Sequence, residues 1–420
     1  MGFASAYLET RAIFPELIKE APANHTGIIV VVPAYNEPEI TILLDSLDQC
    51  SEPDCNVEVI IVINAPANAS IISQEHNRKS KSDIESWKKT NSNCFFRLFI
   101  IDATTLSING WGVGLARKTG MDEAVRRFNS LEKPDGVILS LDADCLVEKN
   151  YFTSVCNELM MKKDRSACSI YFEHPLSGNH FPEKVYKSIT LYELHLRYYF
   201  QGLAYSGFPY PFHTVGSAIA VKALPYIKAG GMNRRQAGED FYFIQKLVPA
   251  GGYFSLNTTT VYPSPRSSFR VPFGTGATIS KLIEDGREIL LTYNMHAFKE
   301  LRSFFSMTEK MYYCKSDALT NLYKELPQGV KLFINEIEWT DKMLEIKANT
   351  SGLLSFQKRF FGWFNMFKIV KYLNSVHSEL FKKINVEDST KELLEIMGIS
   401  HSPKDSPDLL LCYRSLEKGS

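Results

Sequence analysis

Residues 137–152 read VILSLDADCLVEKNYF, an apolar run closing on Asp142 and Asp144 with one alanine between them. In an extended segment alternate side chains share a face, so both carboxylates can point the same way. Like charges at that distance repel unless a cation lies between them. Two readings follow. Asp is common where strands end, and the pair then belongs to a surface turn. Alternatively it holds Mg2+ or Mn2+, which takes hard oxygen ligands and keeps positions open for phosphate oxygens and water. A second acidic pair, Glu239 and Asp240, precedes an apolar helical run. Such residues are favoured in a first helical turn by the dipole. In a site wall, one of them is a candidate general base, which must be ionised and within reach of a hydroxyl.

Cationic candidates lie in two glycine-containing stretches. GWGVGLARKTG (110–120) puts Arg117 and Lys118 in the first turns of a helix, where an anion is also favoured by free backbone N–H groups. It is neither a Walker loop nor G-x-G-x-x-G, and a solvated basic helix start is the plainer reading. SPRSSFRVPFGTGA (264–277) gathers Arg266 and Arg270 around serines and a Gly-Thr-Gly turn. Arginine forks suit phosphate oxygens; a basic surface loop stiffened by prolines is the alternative. Asn36 and Glu37 in VPAYNE either grip a ligand or cap the following helix. In LRYYFQGLAYSGFPYPFHTVGS the tyrosines, Tyr210 included, can stack on sugar faces and His213 can hydrogen-bond. Core packing is the stronger reading for any single aromatic there, and His213 reads first as a satisfied structural histidine.

These residues need elements to place them. Residues 5–20 read as a short helix. GIIVVVPAYNE (27–37), 57–68, 94–102 and 136–144 read as strands, the first a continuous β-branched run of the buried parallel kind, ended by Pro33. Helical spacing follows at Ile40, Leu43, Leu44 and Leu47 and again at 110–128, while polar residues 70–93 suggest a helix with a mobile surface loop. Alternation of this sort predicts an α/β sheet with right-handed crossovers and ligands at the carboxyl ends of its strands. An aromatic-rich helix is expected over 183–203, and beyond about 290 the pattern is helical.

A chain of 420 residues has room for one large α/β domain and a smaller unit, or for two to three average domains. Its 47 Lys and Arg balance 47 Asp and Glu, so no net field draws it to nucleic acid. The 8 cysteines form no C-x-x-C pair, which favours reduced thiols over a zinc site or disulfide framework. A charged N-terminus and the lack of a spanning-length apolar run lead to the expectation of a soluble, cytoplasmic protein. Aromatics mixed with Lys358, Arg359, Lys368 and Lys371 allow peripheral contact with the inner face of a membrane, or an aromatic face packed into the core.

In order, strand-PAYNE, strand-INA, ARK, DAD, GG and ED resemble the family 2 glycosyltransferases of the GT-A fold, over roughly residues 27–255. The resemblance implies a mostly parallel, Rossmann-like nucleotide-diphospho-sugar transferase sheet, with an extension at 1–26, the sheet domain at 27–290 and a helical C-terminal appendage at 291–420. It implies transfer of a hexosyl or N-acetylhexosaminyl group from a nucleotide sugar to a hydroxyl of a glycan, lipid-linked or small-molecule acceptor, with a divalent metal, Mn2+ or Mg2+, and inversion. By the same resemblance Ala34, Tyr35 and Glu37 line the nucleoside pocket. Asp144 is the main metal ligand, with Asp142 on the ribose or a metal-bound water. Asp240 is the base, Glu239 its neighbour at the acceptor, and Lys118 faces the donor.

Two departures stand out. Relatives end the second strand in acidic residues; here it ends INAPAN, leaving Asn64, an amide that both donates and accepts, to meet the base. Relatives also offer a histidine after the acidic pair as a third metal ligand. The matching strand here reads TTTVYPSPRSSFR, so Tyr262 or water takes that place, with Arg266 and Arg270 as compensating cations. The competing functions are a nucleotidyltransferase, whose Gly-rich basic loop after the first strand is replaced here by PAYNEPE, and a non-catalytic nucleotide- or sugar-binding protein on the same fold.

Overall fold

The computed structural model describes residues 2–66, 68–106, 110–268, 274–399 and 403–419. The chain divides into two compact units, Met1–His180 with Thr214–Thr278, and Phe181–His213 with Ile279–Ser420.

The first unit opens with helix α1 (Ser5–Thr10) and strand β1 (Thr26–Ala34). Then come α2 (Ile40–Asp48), β2 (Asn56–Ile63), α3 (Ile71–Thr90), β3 (Phe96–Asp102) and α4 (Val113–Ser130). Short strands β4 (Val137–Ser140) and β5 (Leu146–Val147) precede α5 (Tyr151–Val155) and β6 (Ala167–Phe172). After α6 (Glu183–Tyr205), which belongs to the second unit, follow β7 (Ile219–Lys222), α7 (Ala223–Lys228), α8 (Glu239–Leu247) and β8 (Tyr253–Tyr262).

These strands form one sheet in the order β3-β2-β1-β4-β7-β6-β8-β5. Four described pairings are parallel and three, all involving β7 or β5, are antiparallel. The architecture is therefore the expected α/β one, mostly parallel, with a helical C-terminal region. β1 sits inside the sheet and is buried along its whole length, which is why it reads as an unbroken apolar run rather than an alternating one. Register brings Ala34 beside Ile63 and Ile63 beside Asp102, so the carboxyl ends of β1, β2 and β3 share one edge. Gly120 lets α4 lie close on this sheet, since a Cβ there would meet Val31 Cγ1 at 2.4 Å and Val62 Cγ2 at 3.0 Å.

Four local expectations are corrected. Helix stops at Thr10 rather than residue 20, because Pro15 biases Phe14 away from helix. That coil is held instead by Glu123, which accepts from the N–H groups of Leu17 and Ile18, and by Phe14 stacked on Trp111. Pro33 does not end β1; it pairs in register with Val62. Its missing N–H lies on the β4 side, past the last β1–β4 pair at Val31 and Ser140. The stretch 70–93 is a continuous helix from 71 to 90, started by Ser70, whose hydroxyl caps the Ser73 N–H, and not a helix with a loop. β4 ends at Ser140, four residues sooner than expected.

The second unit pairs α6 with the helices that follow residue 279. α9 (Thr275–Glu284) leads by way of strand β9 (Leu291–Thr292) into α10 (Met295–Ser306) and α11 (Thr308–Tyr313). Helices at Leu319–Lys324, Gln328–Phe333, Glu336–Ala348, Leu353–Trp363, Met366–Glu379, Val386–Ile396 and Ser406–Lys418 complete it. Glu193 and Arg197 of α6 meet Arg414 and Glu417 of the last helix in a buried charge network. The aromatic face of 353–364 packs inward: Phe356, Phe360 and Phe364 are fully buried, and Lys368 lies over the Trp363 ring and pairs with Glu338. The structure thus supports core packing for this stretch, not lipid contact. No described helix is long and apolar enough to cross a membrane.

Candidate functional site

The carboxylates gather at the carboxyl edge of the sheet in the first unit. Beyond Ser140 the chain leaves the strand; Leu141 N–H still reaches Val31, and Cys145 N–H closes a turn on the Asp142 carbonyl. Asp142 and Asp144 therefore stand in a turn, not in extended chain, and each meets a different arginine. Asp142 Oδ1 accepts from Arg117 Nη2 at 2.5 Å, and Asp144 Oδ2 is ion-paired with Arg266 Nε at 2.8 Å. Both aspartates keep part of their surface in solvent, 40% and 24% of the side chain.

Arg117 is fully buried, and its second nitrogen, Nη1, donates to Glu239 Oε1. Gly216 makes room for this guanidinium, since a Cβ there would come within 2.7 Å of Nη1. Burial disfavours the Arg117 cation, but Asp142, Glu239 and Asp240 outweigh it and hold its pKa above the ordinary value. Glu239 begins α8, behind Gly238 at φ +70°, a left-handed conformation that glycine adopts without strain. Burial raises the Glu239 pKa, with Arg117 opposing. Asp240, its neighbour, accepts from the Phe241 N–H at 2.7 Å. Its pKa is pushed up to about 7, first by burial and then by the Glu239 carboxylate, against the pull of Arg117.

On the other side Arg266, four residues past β8, bridges Asp144 and Glu37. Desolvation lowers its pKa, and the two carboxylates more than reverse that. Glu37 is buried just beyond β1, next to Asn36 at φ +59°. Asn36 Oδ1 meets His76 Nδ1 at 2.5 Å, and its N–H donates to Asn77. Asn77 in turn donates to the Asn64 carbonyl at 2.9 Å, so α3 ties together the ends of β1 and β2. Ala34 and Asn64 are buried at these ends and Tyr35 is half-buried.

The structure therefore gathers Glu37, Asp144, Asp142, Glu239 and Asp240 into one run of charge bridged by two arginines, Arg266 and Arg117. Lys118, which the resemblance places facing the donor, pairs within its own helix. Its Nζ is 2.8 Å from Asp122 and donates to the Tyr7 hydroxyl, all buried, because Asp122 lies one helical turn on. Arg117 is instead the α4 cation among the site carboxylates. Arg270 lies outside the described residues. Tyr210 and His213 belong to the second unit, where His213 stacks on Phe200 and its Nε2 is 2.9 Å from Glu417. Tyr262 ends β8 opposite Leu146. Reasoning from sequence missed Asn77 and Gly216, which carry no signal beyond ordinary helix and loop composition.

A family model described as glycosyl transferase family group 2 matches residues 137–281. The match spans 145 of the 420 residues. It holds Asp142, Asp144, Glu239, Asp240 and Arg266. No curated protein matches the chain. Among solved structures, the chain is similar to S. aureus TarS 1-349 in complex with UDP-GlcNAc, at 15% identity over 79% of this chain and 89% of that one, with a TM-score of 0.39. It is also similar to the mannosyltransferase PcManGT from Pyrobaculum calidifontis in complex with GDP-Man and Mn2+, at 13% identity over 99% and 92%, TM-score 0.36. A third is glucosyl-3-phosphoglycerate synthase from Mycobacterium tuberculosis, in complex with Mn2+, UDP and glucosyl-3-phosphoglycerate, at 12% identity over 60% and 72%, TM-score 0.31. Likeness of this size assigns neither substrate nor mechanism.

Proposed function

We propose that the chain is an inverting glycosyltransferase that moves a hexosyl or N-acetylhexosaminyl group from a nucleoside-diphosphate sugar to an acceptor hydroxyl. The observation that carries this reading is the charge run from Glu37 to Asp240, built at the strand ends and lying mostly within the matched family segment.

A divalent metal suits the donor set. Asp142 and Asp144 are hard oxygen ligands with solvent-facing surface, and Mg2+ or Mn2+ needs only one or two carboxylates when phosphates and water complete its shell. Among the described residues no group of three or more His, Cys, Asp or Glu side chains could hold such an ion, so phosphates and water would have to supply the rest of its shell. When bound, the metal supplies positive charge to the departing diphosphate.

The chain's own residues do the rest. Arg266, already ion-paired to two carboxylates, has a planar fork that suits diphosphate oxygens, and an incoming diphosphate competes for it. Ala34, Tyr35 and Asn64 form the end of the sheet where the nucleoside rests. Arg117 holds Asp142 and Glu239 in place and opposes the rise that burial imposes on the Glu239 pKa. Asp240, with its pKa near neutrality, takes the acceptor proton as the hydroxyl attacks the anomeric carbon opposite the leaving diphosphate. The test is donor hydrolysis or transfer with purified protein and Mn2+, assayed over a panel of nucleotide sugars. Turnover should appear with one donor and vanish in Asp144→Ala; no turnover with any donor, or full turnover in the variant, rejects the reading.

A further inference from the structure

The second unit holds a cavity of about 390 Å³, within the general size range of small-molecule sites. Its wall is built by the end of α6, by α10 and the start of α11, and by the helix Leu353–Trp363. Arg302 is the charged group in the lining. Its guanidinium lies 4.5 Å above the centre of the Tyr205 ring, and it has no carboxylate partner among the described residues. The Thr308 hydroxyl and the Gln357 amide, also in the lining, make no side-chain hydrogen bond among the described residues. Thr308 is nevertheless 95% buried. Phe305 and Phe361 close the apolar side, edge to face at 5.2 Å.

This wall selects its occupant by chemistry. Arg302 is exposed and Gln357 half-buried, so a purely apolar ligand would displace water from a cation, a hydroxyl and an amide and return no hydrogen bond to any of them. A bare inorganic anion would satisfy Arg302 and leave the other groups unused. A ring with several hydroxyls and one oxyanion uses all of them: the oxyanion on the arginine fork, hydroxyls on Thr308 and Gln357, and the apolar ring face on the aromatics.

We propose that this cavity binds a monosaccharide carrying an oxyanion, phosphate or carboxylate. The site is held within the second unit, so the inference stands independently of the donor chemistry proposed for the first.

Isothermal titration of the full chain with glucose 6-phosphate, glucuronate, glucose and inorganic phosphate tests it. At least one of the two anionic sugars should bind at least tenfold more tightly than glucose or phosphate alone, and whichever binds tighter identifies the oxyanion. Arg302→Met should weaken that binding at least tenfold and Gln357→Leu by a smaller factor, with nucleoside-diphosphate affinity unchanged in both. Arg302→Lys, which keeps the charge but not the fork, should fall between wild type and Arg302→Met and guards against misfolding of the methionine variant. Three outcomes overturn the assignment: neither anionic sugar binding up to about 10 mM, glucose or phosphate binding equally well, or all Arg302 variants binding as wild type does.

Discussion

Arg117 and Glu239, 122 positions apart in the chain, form a buried ion pair that joins α4 to the first turn of α8. The same guanidinium holds Asp142, so one side chain sets the spacing of two acidic motifs. Arg117→Met leaves Glu239 buried without its cation, and breaking a buried pair by removing one partner costs about 3–5 kcal/mol. Urea denaturation should show that loss. A midpoint equal to wild type would mean the pair contributes nothing to the fold.

Transfer should depend on pH through Asp240. In the proposed reaction the ionised form is the base, and its pKa of about 7 would place the rise in kcat/KM near neutrality, well above the usual carboxylate range. Below that midpoint the rate should fall about tenfold per pH unit. Asp240→Asn should abolish transfer while donor binding survives, because the amide keeps the shape but accepts no proton. A flat profile between pH 5 and about 8 would remove Asp240 from this role.

The same group makes a stability prediction of definite sign. The folded state holds the Asp240 proton up to about pH 7, whereas the unfolded chain releases it near the ordinary aspartate value of 3.8. Between those values the native state binds more protons, so this residue's contribution to stability declines as pH rises from 4 to 7. Asp240→Asn should remove that component of the slope. Chemical denaturation of both proteins at several pH values gives the comparison, and identical slopes would contradict the shift.

Mn2+ or Mg2+ should strengthen binding of the cognate nucleoside diphosphate at least tenfold, and EDTA or Asp144→Ala should each remove the gain, since coordination to a carboxylate and diphosphate together is strong. Calorimetry with and without metal decides it. Equal affinity in all three conditions excludes Asp144 as a metal ligand.

Gly120→Ala should destabilise the first unit by about 1–3 kcal/mol, the usual cost of overpacking. The new methyl meets Val31 of β1 and Val62 of β2. Thermal melting is the check, and an unchanged midpoint would show that α4 can shift outward freely.

Much of this was legible in the chain itself. β1 and β2 announce themselves because strands buried on both faces need apolar residues throughout, and the order of the acidic and basic motifs carries the site. What was hidden depends on distance in space. Arg117 and Lys118 are adjacent and chemically alike, yet about 100° apart around α4; one meets Asp142 and the other Asp122. Only the packed helix separates them. Arg266 and Glu37 are 229 positions apart, and no local pattern joins them. The grouping of α6 with helices a hundred residues later is likewise a property of packing, through Glu193 and Arg414.

The charge run from Glu37 to Asp240 is unequal. It holds five carboxyl groups, Glu37, Asp142, Asp144, Glu239 and Asp240, against the guanidinium groups of Arg117 and Arg266. Even with Asp240 protonated the balance stays negative. A diphosphate approaching alone therefore enters a repulsive field, and a lone cation enters an attractive one. Reciprocity then requires that cation and nucleotide raise each other's affinity by the same factor. On the function proposed above, this surplus of negative charge would make loading of the site cooperative, with the cation entering first or in company with the nucleotide.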